Sequence, residues 1–145
     1  MRQVQQGIRE LAALPRTRLI RHSSLYHTAP QGATDQPDFV NAVAVLDTAL
    51  SPRELLEALL ALEARHGRVR GKPDGPRTLD LDLLLLGSQV ISEPGLQVPH
   101  PRMHQRAFVL IPLVEITPQA LIPGHGSAAA LAAQLADQPV TRIHE

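Results

Sequence analysis

The chain alternates short apolar stripes with polar punctuation, and each stripe has a period that predicts an element. Over residues 2–14, Ile8, Leu11, Ala12 and Leu14 recur at helical spacing, and Pro15 stops the pattern. Residues 19–28 are extended, and a polar stretch over 29–37, punctuated by Pro30, Gly32 and Pro37, predicts a loop. Residues 39–46 are rich in Val and Ala and predict a second strand. Ser51-Pro52-Arg53-Glu54 forms a capping box that opens a helix bearing Leu55, Leu56, Leu59, Leu60 and Leu62, which Gly67 should end. A basic Gly/Pro-rich loop over 68–77 follows, then a strand over Leu79–Leu86. Residues 94–101 are expected to be irregular, 107–115 to form a short helix despite Pro112, and Ser127 to cap a last helix reaching about Ala136.

This order places the chain in the α+β class, with an antiparallel sheet and helices packed on it. Its 145 residues suit a single domain, expected to span 1–145. Fourteen basic residues balance fourteen acidic ones, which argues against a general nucleic-acid or membrane binder. The absence of cysteine excludes disulfides and thiolate metal sites. No apolar run approaches the ~18 residues of a membrane span, and the first fifteen residues lack a signal peptide's apolar centre. A cytoplasmic location is the expectation.

Asp80 and Asp82 alternate with Leu79, Leu81 and Leu83, so an extended backbone turns both carboxylates to one face, ~7 Å apart. Such a pair can hold hard divalent cations, or can simply be the solvent face of a half-buried strand. Arg68, Arg70 and Arg77 flank the pair. They could clamp a polyphosphate, or could form a solvated basic loop. The segment 67–72 is not a P-loop, because its glycine spacing is one residue short and Pro73 stands where Ser or Thr is required. His100 and His104 lie four apart without a third ligand at suitable spacing, which disfavours zinc.

Three blocks together carry a resemblance. They are Gly67-Arg68-Val69-Arg70 with Gly75-Pro76-Arg77-Thr78-Leu79-Asp80-Leu81-Asp82; the run from Val98 to Leu110 with Pro112-Leu113 and Glu115-Ile116; and Ser24-Leu25-Tyr26, Thr28 and Gln36 through Ala42. The chain resembles the 6-hydroxymethyl-7,8-dihydropterin pyrophosphokinase family from residue 1 to about residue 126. The resemblance implies a ferredoxin-like sandwich and transfer of pyrophosphate from ATP to the pterin hydroxymethyl group, in folate biosynthesis. It implies that Asp80 and Asp82 bind two magnesium ions and that Arg68 and Arg77 hold phosphates during catalysis. Arg70, His100 and Arg106 would contribute to ATP binding. Phe39 and Phe108, the only phenylalanines, would sandwich the pterin ring, while Thr28 and Asn41 would read its polar edge.

The resemblance also implies a first strand, inside the sheet and ending in a Gly-Ser-Asn-Leu turn, which this sequence lacks. Its loss should remove a row of ladder bonds and expose core leucines. Two causes are open, a start codon set too late or a damaged copy, and the alternative function is an inactive pterin- or nucleotide-binding homologue. The loop between Arg70 and Gly75 is short and has no tryptophan, which predicts altered product release. The expected partners are small molecules acting on a monomer. An RNA-binding sheet is disfavoured by 2% aromatic content and zero net charge.

Overall fold

The computed structural model describes residues 2–28, 39–66 and 79–143. The first helix, α1 (Arg2–Ala12), forms where the stripe predicts it and buries Gly7 and Leu11. A Cβ on Gly7 would stand 2.8 Å from a methyl of Leu79, so α1 and the chain at Leu79 are in close contact there.

The extended region after α1 is divided. β1 (Thr17–His22) pairs antiparallel with β4 (Ala44–Thr48), from Thr17 opposite Thr48 to His22 opposite Ala44. β2 (Tyr26–Thr28) pairs with β3 (Phe39–Asn41) and, on its other edge, with β9 (Thr141–Arg142). Ser23 causes the break. Its amide still donates to the Val43 carbonyl at 2.8 Å, but the Val43 amide donates to the buried Ser23 hydroxyl at 2.9 Å, and that hydroxyl donates to the Ser24 carbonyl at 2.7 Å.

The predicted capping box is present at α2 (Pro52–Arg65). The Glu54 amide donates to the Ser51 hydroxyl at 3.1 Å, and the Ser51 amide to the Glu54 carboxylate at 2.8 Å. Leu55, Leu59 and Leu62 are the buried face, at helical spacing. The stop expected at Gly67 lies outside the described residues; the helix reaches Arg65, with His66 as its cap.

Residues 94–101 are more ordered than the sequence suggests. β5 (Ile91–Glu93) and β6 (Leu96–Val98) form a hairpin across Pro94 and Gly95, the glycine at φ 76°. Arg53 of α2 fastens this hairpin through Glu93 at 2.9 Å and the Pro94 carbonyl at 3.2 Å. A single 3-10 turn (Met103–Gln105) leads into α3 (Ala107–Ile116), which keeps Pro112 buried in its interior. β7 (Leu121–Ile122) and β8 (Gly126–Ser127) pair, and Ser127 caps α4 (Ala128–Gln134) as predicted.

Leu79–Leu86 departs from expectation. The run keeps the burial alternation of a strand at its start, with Leu79 buried, Asp80 and Asp82 exposed, and Leu81 and Leu83 between. It joins no ladder among the described residues. The four small sheets found there share no continuous centre, and the leucines from Leu83 to Leu86 are only partly buried. Side-chain packing holds the run in place of a ladder. Leu81, Leu83 and Leu86 pack against a cluster of Leu11, Leu14, Leu55, Leu59 and Leu62 from α1 and α2. Leu84 and Leu85 pack against a second cluster built on Met103, Leu110, Leu113 and Ile122. The run is therefore a middle layer between two cores. Polar pins add to this: the buried Glu63 carboxylate accepts the Leu81 amide at 2.6 Å, and the Leu84 carbonyl accepts the His100 amide at 2.9 Å.

Glu115 of α3 ties the β2 region to the helices. It accepts from the Tyr26 hydroxyl at 2.7 Å, the Ser24 hydroxyl at 2.8 Å and the Ser24 amide at 3.0 Å. Burial, followed by the bond to Glu115, pushes the Tyr26 phenol up to about 12. Burial alone would raise Glu115, but the bonds from Tyr26 and Ser24 and the Arg142 charge outweigh it and hold this carboxyl below its ordinary value.

The ionised Glu115 contributes stability above its unfolded-state value, and that contribution is lost as pH falls through the lower folded-state value. The neutral Tyr26 phenol contributes below its ordinary 10.0, and its share is lost as pH rises through about 12. Glu115→Gln should therefore lower stability by ~1–3 kcal/mol at neutral pH, with the difference from the parent shrinking in acid. Urea titrations at neutral and acid pH measure it, and a pH-independent difference would contradict the assignment. Glu63→Ala should cost a similar ~1–3 kcal/mol and speed hydrogen exchange at the Leu81 amide, whereas Glu63→Gln, which keeps an acceptor, should restore most of that protection.

Candidate active site

The site begins with the alternation in residues 79–83. Turning Asp80 and Asp82 inward would place charge against the α1–α2 leucines, so the apolar neighbours fix both carboxylates outward. Glu63 holds the backbone between them through the Leu81 amide. Glu63 is a positioning residue that the sequence pattern does not single out. The available signal was an acidic residue next to Leu62 on the buried stripe of α2.

Two cavities meet at this segment. One, of about 490 Å³, is lined by Asn41, Asp80 and Asp82 together with apolar residues of β4 and α1. The other, of about 630 Å³, is lined by Asp82, His100 and Glu63 with Leu56, Leu60 and Leu96. Asp82 borders both and Asp80 the first, so the carboxylate pair reaches the place where the two spaces adjoin through Asp82.

His100 is fixed beside the pair. Its amide donates to Leu84, and its Nδ1 accepts the Arg102 amide at 3.2 Å. Burial, partly opposed by the Asp82 charge and reinforced by Arg106 and Arg102, holds its imidazole below the ordinary histidine value. A neutral ring with Nδ1 accepting carries its proton on Nε2, a hydrogen-bond donor suited to an anion. The Arg106 guanidinium lies 5.4 Å from the centroid of the Phe108 ring, a cation–π contact that restrains a long side chain.

On the other side, the β2–β3 register sets Thr28 opposite Phe39 and Tyr26 opposite Asn41. Thr28 Oγ1 and Asn41 Oδ1 are buried with no hydrogen-bond partner among the described residues. Buried polar atoms are rarely left so, because an unmade bond costs ~1–3 kcal/mol. Both atoms belong to residues expected to read a polar ligand edge. Neither phenylalanine joins the buried core: Phe39 is 41% exposed and Phe108 is partly buried.

The structure thus brings together Asn41, Asp80 and Asp82, and separately Asp82 and His100. Thr28, Phe39, Phe108 and Arg106 line neither cavity, and Arg68, Arg70 and Arg77 lie outside the described residues. His104 stacks on His125 with ring centroids 3.8 Å apart, in keeping with a structural role. Among the described residues no group of three or more His, Cys, Asp or Glu could hold a metal ion. A two-carboxylate oxygen set nevertheless fits magnesium, which keeps waters and takes substrate phosphates as its remaining ligands. No helix among the described residues is long and apolar enough to cross a membrane.

Comparison with known proteins bears on the same stretch. A family model described as 7,8-dihydro-6-hydroxymethylpterin-pyrophosphokinase (HPPK) matches residues 1–118. The chain is 51% identical over 121 residues to the 2-amino-4-hydroxy-6-hydroxymethyldihydropteridine pyrophosphokinase of Pseudomonas aeruginosa, covering 83% of this chain and 75% of that protein. It is 41% identical over 142 residues to the protein of the same name from Haemophilus influenzae, covering 98% and 89%. The Methylorubrum extorquens protein of that name is 44% identical over 126 residues, covering 87% and 80%. With the carboxylate pair, the pinned His100 and the orphaned polar atoms of Thr28 and Asn41 all inside the matched stretch, the chain belongs to the 7,8-dihydro-6-hydroxymethylpterin-pyrophosphokinase family.

Proposed function

We propose that the protein transfers a pyrophosphoryl group from ATP to the hydroxymethyl oxygen of 6-hydroxymethyl-7,8-dihydropterin, giving the pterin diphosphate and AMP, in folate biosynthesis. The observation that carries this reading is a pair of exposed carboxylates, both on a cavity bordered by Asn41, with Asp82 also bordering the cavity of His100.

The pterin takes the Asn41 side. Asn41 and Thr28 complete their bonds on its polar pyrimidine edge, and Phe39 and Phe108 offer faces for its ring. ATP takes the His100 side, with Arg106 moving from the Phe108 face to a phosphate and His100 donating from Nε2. Arg68, Arg70 and Arg77 bind phosphates, Arg68 and Arg77 also serving catalysis. Asp80 and Asp82 hold two magnesium ions, which neutralise polyphosphate charge when bound. Such a transfer asks mainly for alignment and charge neutralisation, and the site offers no residue that must serve as a strong base. The 145 residues act as one domain, as a monomer in the cytoplasm, without nucleic-acid or membrane partners. A second reading, an inactive pterin- or nucleotide-binding homologue, has one observation in its favour: the segment bearing both carboxylates lacks a ladder.

Asp82→Ala should lower magnesium-dependent AMP release on the order of 100-fold or more while leaving the fold intact by circular dichroism. An undiminished rate would remove the metal assignment, and a parent chain that binds pterin but releases no AMP would favour the second reading. Asn41→Leu should weaken pterin binding by roughly 5- to 100-fold and leave ATP binding unchanged, as measured by calorimetry with each ligand alone.

A further inference from the structure

Four side chains of the β2–β3 pair share one face. Tyr26 and Thr28 are alternate residues of β2 and point the same way. Asn41 and Phe39, directly opposite them across the ladder, point with them. That face is turned to α3, because the Tyr26 hydroxyl on it reaches the Glu115 carboxylate at 2.7 Å. On α3, Phe108, Pro112 and Glu115 form one stripe at the i, i+4, i+7 spacing of a helix face. Pro112, in the middle of the stripe, is fully buried. Phe108 thus stands on the helix face that Glu115 turns to β2, ~10 Å along the axis.

Few bonds set the separation of these two faces. β2 and β3 are three residues each, and among the described residues their sheet with β9 is laddered to no other strand. Glu115 supplies the direct link from the helix. One carboxylate accepts from the Tyr26 hydroxyl, the Ser24 hydroxyl and the Ser24 amide. Arg142 of β9, the strand on the other edge of β2, stands 3.8 Å from the same carboxylate. Bonds to an ionised acceptor are shorter and stronger than neutral ones, which suits this carboxylate to fixing a distance. A flat ring held between two aromatic faces needs a gap of ~7–8 Å, two contacts of ~3.5–4 Å each. A misplacement of ~1 Å at a reacting group can cost ~10²-fold in rate.

We propose that Glu115 and Tyr26 are positioning residues for the pterin, their bond being a spacer that fixes the gap between the Phe108 face of α3 and the Thr28, Phe39 and Asn41 face of β2–β3. The inference rests on the pterin reading given above. Both residues act through the two faces rather than by contact with the ring. Their bond therefore governs pterin affinity and leaves the nucleotide side, around His100, untouched.

The test uses the full 145-residue protein, with calorimetry on the pterin and on ATP separately and steady-state rates for each. Tyr26→Phe, which deletes one hydroxyl, should weaken pterin binding ~5- to 20-fold, raise the KM for pterin and leave ATP binding and circular dichroism unchanged. Glu115→Gln should act in the same direction. The double variant should lose no more affinity than the worse of the two single ones, because both changes strike one bond. Ser24→Ala removes another donor to the same carboxylate and should give a smaller loss, a second route should Tyr26→Phe not fold. Leu14→Ala, which loosens the α1–α2 cluster away from α3 and β2, should leave pterin affinity as it is. Unchanged pterin binding in Tyr26→Phe, additive losses in the double variant, or an equal loss in Leu14→Ala overturns the spacer alone, provided Asn41→Leu still weakens pterin binding. A parent that binds no pterin, or an Asn41→Leu variant that binds it as well as the parent, overturns the pterin reading and the spacer together.

Discussion

The whole arrangement depends on keeping two charges out of a layer that is otherwise leucine. Residues 79–86 run between two apolar clusters, where a fully buried leucine such as Leu79 contributes ~1.5–3 kcal/mol and its partly buried neighbours less. A carboxylate forced into the same position would have to give up its charge or its hydration, at greater cost. The segment therefore has one acceptable rotation about its axis, the one that leaves Asp80 and Asp82 outside. Its direction is fixed by burial, and its height by two polar pins, the Glu63 carboxylate on the Leu81 amide and the His100 amide on the Leu84 carbonyl.

Electrostatic order at the site follows from that placement. Two like charges set side by side repel, and the nearby partners differ in how they respond. Burial and two arginines push His100 toward its neutral form, against the pull of Asp82. Arg106 rests on the Phe108 ring, its guanidinium 5.4 Å from the centroid. Among the described residues Thr28 Oγ1 and Asn41 Oδ1 are buried without partners, so each has a bond still to be made.

What could be read from the sequence was local. The capping box at Ser51, the stripe of α1, the cap at Ser127 and the alternation of residues 79–83 each depend on neighbours within a few positions, and each is where the pattern put it. What could not be read depends on distant partners. Leu79–Leu86 has the composition of a strand, but a ladder needs a second backbone. The two long extended runs are broken by the buried Ser23 hydroxyl, whose acceptance of the Val43 amide joins residues 20 positions apart. The β5–β6 hairpin is only three residues per arm, too short for alternation to stand out from an irregular stretch. Glu63 was visible as a charge on a buried stripe, but its acceptor role required the position of Leu81.

Family membership and site competence are separate matters in this chain, and the middle layer is where they separate. The matched stretch carries the motifs, and a motif is a matter of composition, whether or not the backbone beneath it is rigid. Transfer between phosphates is sensitive to that rigidity, since a displacement of ~1 Å at the reacting groups can cost ~10²-fold in rate. Side-chain packing alone holds a segment less sharply than a ladder does, because leucines can exchange rotamers at little cost while backbone bonds cannot be shifted by less than a register. The spacing of Asp80 and Asp82 is therefore coupled to how completely the layer around them is filled, and stability of that layer becomes a variable of the chemistry rather than only of the fold.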